Sequence, residues 1–237
     1  MNRDRIADYL SSLEPEADEL LDEMRTFALS HDVPIVRLET ESFLRTMVKL
    51  KRPERILEIG TAIAYSSIVL ARAALSCGGN CSMLTIESWE RRIPIAENNL
   101  KQAGLTDCVK LVHGDAGEVL RRLVQEKEKD SVKAAQTGYD LIFLDAAKGQ
   151  YLHWLPDILC LMREGALLIA DNVMQEGTVT ESRYTLPRRD RTTHSRMREF
   201  LYEIKHHPEL ESSVLPLGDG VSISVKKVQN IQEQKDL

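Results

Sequence analysis

The 237-residue chain is 43% hydrophobic and 29% charged, a globular balance that excludes wholesale disorder and collagen-like repeats and fits one domain, residues 1–237. Its 31 Lys and Arg against 37 Asp and Glu leave a net charge of −6, which argues against coating DNA or a membrane with the whole surface. No apolar run nears the roughly 18 residues of a membrane span, and the opening MNRDRIADYL with four Cys predicts neither export nor transit but a reducing cytoplasm.

The first fifty residues predict helices. Pro15 suits a helix start, and Leu20, Leu21, Met24, Phe27 and Ala28 follow at three- and four-residue steps. After a break at 31–34, Thr40 is the expected cap of a second helix carrying Phe43, Leu44, Met47 and Val48. From Pro53 the texture changes. Strand-length apolar runs at 55–59, 82–86, 109–113, 140–144 and 166–170 alternate with helical patterns at 66–75, 89–103, 116–127 and 151–162. That alternation implies βαβ units and a mostly parallel α/β sheet with helices on both faces. The segments 211–217 and 221–227 flank Gly218-Asp219-Gly220 and predict an antiparallel hairpin at the sheet edge. Residues 126–137 read as an exposed loop or an overlong helix end, and 229–237 as a polar, frayed tail.

The chemistry gathers where strands end. The first strand runs into a small-residue turn, Gly60 to Ser66, where backbone can approach a ligand; the alternative is a tight turn with no ligand. The dinucleotide fingerprint is absent, because its later glycines are missing. Glu87 closes the second strand, 27 positions beyond Gly60, where an acid can accept from both hydroxyls of a ribose. His113-Gly114-Asp115-Ala116 ends the third strand at the same edge and suits an adenine ring. Three strand ends thus agree on a nucleoside.

These stretches, with LIFLDAAKGQY (141–151) and LLIADNV (167–173), resemble the cation-dependent O-methyltransferases, the group that includes catechol and caffeoyl-CoA O-methyltransferases. The resemblance spans about residues 30–227 and implies a Rossmann-like, seven-stranded class I methyltransferase fold, S-adenosylmethionine as methyl donor, and a homodimer. Carried over by position, it implies that Glu58 and Gly60 meet the methionine part of the donor, Glu87 its ribose, and Asp115 and Ala116 its adenine. Val36, Ala62, Ser66 and Asp145 complete the implied donor contacts. Ala64 stands where relatives usually carry Gly, and its methyl group is expected to weaken donor binding slightly.

Asp145 ends the fourth strand pattern, and Asp171-Asn172 ends the fifth. Neighbouring parallel strands bring those ends together, and two carboxylates with an amide suit a hard cation such as Mg²⁺. The alternative is a helix cap and a plain turn. Lys148 is the expected acceptor of the substrate hydroxyl proton, its pKa of about 10.4 pushed down by the cation, with a solvated surface lysine as the alternative. The four cysteines lack metal-ligand spacing.

One feature lies outside that set. Residues 183–198 hold six arginines against one aspartate, a net +5, leaving −11 for the rest of the chain. Met197, Phe200, Leu201 and Ile204 follow at helical spacing, so the arginines are expected on or just before an amphipathic helix. Concentrated basic charge on an acidic protein points to local RNA affinity. Within the family, YTLPRRDRTTHSRMREF (184–200) resembles bacterial tRNA 5-hydroxyuridine methyltransferases. That implies methylation at the wobble position, with Arg188, Arg189, Arg191 and Arg196 on anticodon phosphates. The alternatives are arginines that serve a dimer contact or pair with the acidic remainder, a small catechol-like phenol as substrate, and a nucleoside-binding protein without catalysis.

Overall fold

A computed structural model describes residues 3–14, 18–129 and 138–228. Seven strands form one sheet: β1 (Arg55–Ile59), β2 (Ser82–Glu87), β3 (Val109–His113), β4 (Tyr139–Leu144), β5 (Met162–Ala170), β6 (Leu210–Leu215) and β7 (Val221–Lys226). Their spatial order is β3-β2-β1-β4-β5-β7-β6, parallel up to β5, with β7 antiparallel to both β5 and β6. The expected architecture, hairpin included, is therefore the observed one.

The helices are α1 (Arg3–Ser12), α2 (Glu19–Ser30), α3 (Leu38–Lys51), α4 (Tyr65–Leu75), α5 (Ile93–Gln102), α6 (Ala116–Lys129), α7 (Tyr151–Leu161) and α8 (Arg191–His206). The two-residue alternation of the strands divides the core between two layers. Ile56, Leu141, Phe143 and Ile169 pack with α2, α3, α4 and α5, whereas Leu57, Ile142, Leu144 and Leu168 pack with α6, α7 and α8. Strands buried on both faces need near-continuous apolar runs, which is why β4 reads YDLIFL and β5 ends ALLIA.

Several boundaries differ from expectation. Thr40 does not cap α3. The helix begins at Leu38 with Arg37 in the cap position, and Thr40 lies in its first turn, buried against the Gly218 turn. Tertiary burial outweighs the capping preference there. Asp18 caps α2 by accepting the Leu21 N–H, while the Pro15 start falls outside the described residues. β5 begins four residues early, at Met162, and the stretch before α5 is a 3₁₀ turn, Glu90–Arg92. α6 continues to Lys129, taking in the first part of the charged segment; residues 130–137 and the 229–237 tail lie outside the described residues. No helix among the described residues is long and apolar enough to cross a membrane.

The hairpin does more than finish the sheet. Gly220 O accepts from Val173 N, and Asp219 O accepts from Met174 N, each at 2.9 Å, so the loop after β5 is fastened to the turn before β7. Gly220 has φ +86°, and a Cβ there would fall 2.3 Å from Met174 Cγ. Only glycine satisfies both the backbone angle and the close approach.

Candidate active site

A cavity of about 770 Å³ opens along the C-terminal edge of the parallel strands, where open α/β sheets place their ligands. Its walls include Val36, Gly60, Ala62, Ser66, Glu87, Asp115, Ala116, Asp145, Lys148 and Asn172, ten residues singled out from the sequence. Glu58, Asp171 and the arginines of the basic segment are not among its lining residues.

The β1–α4 turn forms one wall. Gly60 N and Thr61 N both donate to Ile86 O, at 3.0 and 3.1 Å, which ties the turn to β2. Gly60 has φ +106°, and a Cβ there would fall 2.0 Å from the backbone oxygen of Asp145. The glycine is thus required by the end of β4, whatever ligand also approaches it. Ala64 corrects an expectation. It is fully buried, does not line the cavity, and adopts φ +69° as the N-cap of α4. Its methyl group therefore strains the backbone instead of obstructing a donor.

Glu87 lies at the end of β2 with three backbone N–H groups on its carboxylate. Ala62 N donates to Oε2 at 2.8 Å, and Ser88 N and Trp89 N donate to Oε1 at 2.9 and 2.8 Å. Oε1 is thus occupied by two donors, while Oε2 keeps one lone-pair site on a side chain that lines the cavity and can accept from a hydroxyl. Asp115 Oδ1 accepts from Glu118 N at 3.0 Å, which starts α6 and leaves Oδ2 open.

Glu58 sits deeper than expected. It is fully enclosed, accepts hydrogen bonds from Ser67 and Thr85, and has no partner for Oε1 among the described residues. Burial pushes its carboxyl up to about 7, against the pull of hydrogen bonds from Ser66, Ser67 and Thr85. Glu58 thus lies behind the cavity wall, next to Ser66, which does line it.

The acidic end is built by the register of β4 on β5, which pairs Leu144 with Ala170 and so sets Asp145 beside Asp171. Asp171 N donates to Leu144 O at 3.0 Å, fixing the two ends together. Asp171 is 2% exposed and accepts from Asn172 N at 2.7 Å. Its carboxyl is raised to about 7, first by burial and then by the neighbouring Asp145 charge. Asn172 turns the chain at φ +55°, a region Asn tolerates better than most residues. No group of three His, Cys, Asp or Glu suited to a metal occurs among the described residues. The set here is two carboxylates and an amide, and its negative charge, offset only in part by Lys148, fits a divalent cation.

Lys148 lies in the 3₁₀ turn Lys148–Gln150, with Nζ 2.6 Å from Asp145 Oδ1 and 3.1 Å from Tyr151 Oη. Burial alone would lower its pKa, but Tyr151 and Asp145 outweigh it and hold the ammonium well above its ordinary value. The expected lowering is an effect of a bound cation, whose charge is not among these neighbours. Tyr151 had no role in the sequence reading. Its buried hydroxyl donates to Leu144 O at 3.2 Å and accepts from Ala146 N at 3.2 Å, so it pins Lys148 to the end of β4.

The basic segment divides into two groups. Arg191 donates to the carbonyls of Leu186 and Tyr184, Arg196 to Gly149 O, and Arg198 to Val179 O and Glu181 O. These three brace the loop before α8 against the Lys148 turn and the 175–180 segment. Arg188 and Arg189 are exposed; Arg189 meets only Asp190, at 3.6 Å, and Arg188 has no side-chain partner among the described residues.

The chain is similar to known methyltransferases in sequence and in fold. A catechol O-methyltransferase of Niastella koreensis is 34% identical over 145 residues, a match spanning 61% of this chain and 61% of that protein. A caffeoyl-CoA O-methyltransferase of Citrus natsudaidai is 27% identical over 94% of this chain and 95% of its own length. Among solved structures, an O-methyltransferase from Bacillus cereus in complex with SAH superposes with a TM-score of 0.79 at 30% identity, covering 94% of this chain and 97% of that one. The O-methyltransferase family profile matches residues 11–227, and the chain belongs to that family.

Proposed function

We propose that this protein transfers a methyl group from S-adenosylmethionine to a hydroxyl oxygen in a divalent-cation-dependent reaction, with 5-hydroxyuridine at the tRNA wobble position as its substrate. The observation that carries the reading is a cavity with a nucleoside cradle at Glu87 and Asp115 and an end lined by Asp145 and Asn172, with Asp171 buried beside Asp145.

Glu87 holds the ribose hydroxyls, Asp115 and Ala116 border the base, and Glu58 backs the wall on the methionine side through Ser66. Asp145, Asp171 and Asn172 would hold the cation, which acidifies the acceptor hydroxyl and offsets its charge when bound. The acceptor oxygen then attacks the methyl carbon in line, forming an O–C bond as the S–C bond breaks and the donor leaves as a neutral thioether. Lys148 is the side chain placed to hold or receive the hydroxyl proton. Its pair with Asp145 keeps it charged, so proton acceptance requires that pair to part. A substrate with adjacent oxygens chelates best, and 5-hydroxyuridine offers O5 beside O4.

The RNA assignment rests on Arg188 and Arg189, exposed cations, Arg189 meeting only its neighbour Asp190, on a loop that Arg191 and Arg196 fasten beside the Lys148 turn. Changing both to Ala should weaken tRNA binding about tenfold and reduce its salt slope by about one to two units, while turnover of a small catechol stays unchanged. Equal loss on both substrates overturns the RNA role. Nucleoside mass analysis of tRNA from cells lacking the protein should show 5-hydroxyuridine in place of 5-methoxyuridine. The second reading, a small catechol-like phenol, is favoured by the names of the relatives; unchanged tRNA nucleosides would select it. A homodimer and a cytoplasmic setting belong to the same proposal.

A further inference from the structure

Trp154 lies in the first turns of α7, and the mechanism above does not use it. It is 8% exposed and lines the cavity together with Asp115, Ala116 and Gly117. Its indole N–H has no hydrogen-bond partner among the described residues, yet the nitrogen is not sealed from the cavity. Buried indoles usually find an acceptor, and a phenyl ring would fill this wall without leaving a donor open. Gly117 explains where the donor points. A Cβ on Gly117 would lie 3.1 Å from Trp154 Nε1 and 3.2 Å from Asp115 Oδ1. The missing side chain thus leaves a notch flanked by an N–H donor from α7 and a carboxylate acceptor from the start of α6.

That pairing matches one edge of a purine. Adenine presents an amino donor with an unprotonated ring nitrogen beside it, either N1 or N7. Hypoxanthine presents an oxygen in place of the amino group and a protonated N1, so it sets acceptor against carboxylate. We infer that Trp154 is a base-specificity residue, donating from Nε1 to a ring nitrogen of the donor's adenine while Asp115 accepts from the amino group. The inference rests on the proposed use of S-adenosylmethionine.

The test is calorimetry on the full chain with S-adenosylhomocysteine, its hypoxanthine counterpart, and its 1-deaza and 7-deaza counterparts. The unaltered protein should bind the adenine compound at least tenfold more tightly than the hypoxanthine one and about fivefold more tightly than one of the deaza compounds. Trp154→Phe should weaken the adenine compound about fivefold and erase that deaza penalty. If Trp154→Phe weakens every compound equally, or keeps both deaza penalties, the indole is only a wall and the inference is overturned. A second measurement avoids any folding defect of the variant. The chain has two tryptophans, so Trp89→Phe assigns the Trp154 indole N–H resonance. That resonance should move downfield on adding S-adenosylhomocysteine and should not move with the relevant deaza compound; no movement with either overturns the inference. Absence of any S-adenosylhomocysteine binding by the unaltered protein removes the donor reading itself, a result distinct from normal binding that Trp154→Phe leaves untouched.

Discussion

Two carboxylates, Glu41 and Asp171, are buried almost equally, at 1% and 2% exposure, and their surroundings are opposite. Glu41 joins α2, α3 and α4: Arg25 and Arg45 both pair with it, and Tyr65 donates its hydroxyl at 2.5 Å. Asp171 receives one backbone N–H and lies against Asp145, with Lys148 offsetting that repulsion only in part. A buried charge must be compensated or its carboxyl stays protonated. Glu41 is compensated by its own chain and serves as scaffold. Asp171 is left short of positive charge behind the cavity-lining Asp145 and Asn172, an arrangement that suits a cation taken from outside.

Substitution should separate the two. Asp171→Asn is expected to lower methyl transfer about a thousandfold, the scale of losing a preorganised electrostatic contact together with its cation, while the melting temperature stays level or rises. Retained activity in the presence of a chelator would end the metal assignment. Glu41→Gln should do the reverse. Breaking a buried ion pair costs about 3–5 kcal/mol, and partial solvent access to Arg25 and Arg45 brings this to about 2–3 kcal/mol, read by urea unfolding, with turnover per folded molecule changed only a few-fold.

A pH comparison sharpens the same contrast without mutation. The native state binds the Asp171 proton more tightly than the unfolded chain, because burial and Asp145 raise its carboxyl to about 7. Its contribution to stability is therefore fully present below about pH 4 and is lost as pH rises through 7. Glu58, raised by burial to about 7, acts with the same sign. A cation binds the ionised carboxylate, so magnesium should raise the melting temperature more at pH 8 than at pH 6. Equal shifts at both pH values would contradict the placement of Asp171 in the cation site. The smallest effect is expected at Ala64. Ala64→Gly relieves a left-handed alanine worth about 1 kcal/mol and loses a buried methyl of similar value, so stability should change by less than about 1 kcal/mol, with donor affinity unaltered.

The legible part of the molecule was what repeats along the chain. Strand runs such as RILEI and DLIFL, and acids placed just after them, put Glu87, Asp115, Asp145 and Asp171 at one sheet edge because parallel strands end on one side. What stayed hidden depends on contacts between distant segments. Arg45 reaches Glu14 across 31 positions, and Arg196 reaches Gly149 across 47, and no periodicity announces either. The basic segment looked uniform as a string of arginines, yet backbone carbonyls at 149, 179, 181, 184 and 186 recruit half of them as braces. Ala64 was misjudged for the same reason: a small residue in a turn gives no sign of whether its methyl group faces ligand or core.

The placement of β7 inside the sheet, between β5 and β6, also governs how the protein comes to life. Asn172 is held by a loop whose anchor, Asp219 and Gly220, is synthesised well after it. A nascent chain still short of those residues lacks the clamp on its cation turn and the partner for the edge of β5. Activity should therefore appear only once synthesis has passed these residues, and truncations before Val221 should yield silent protein instead of a weakened enzyme.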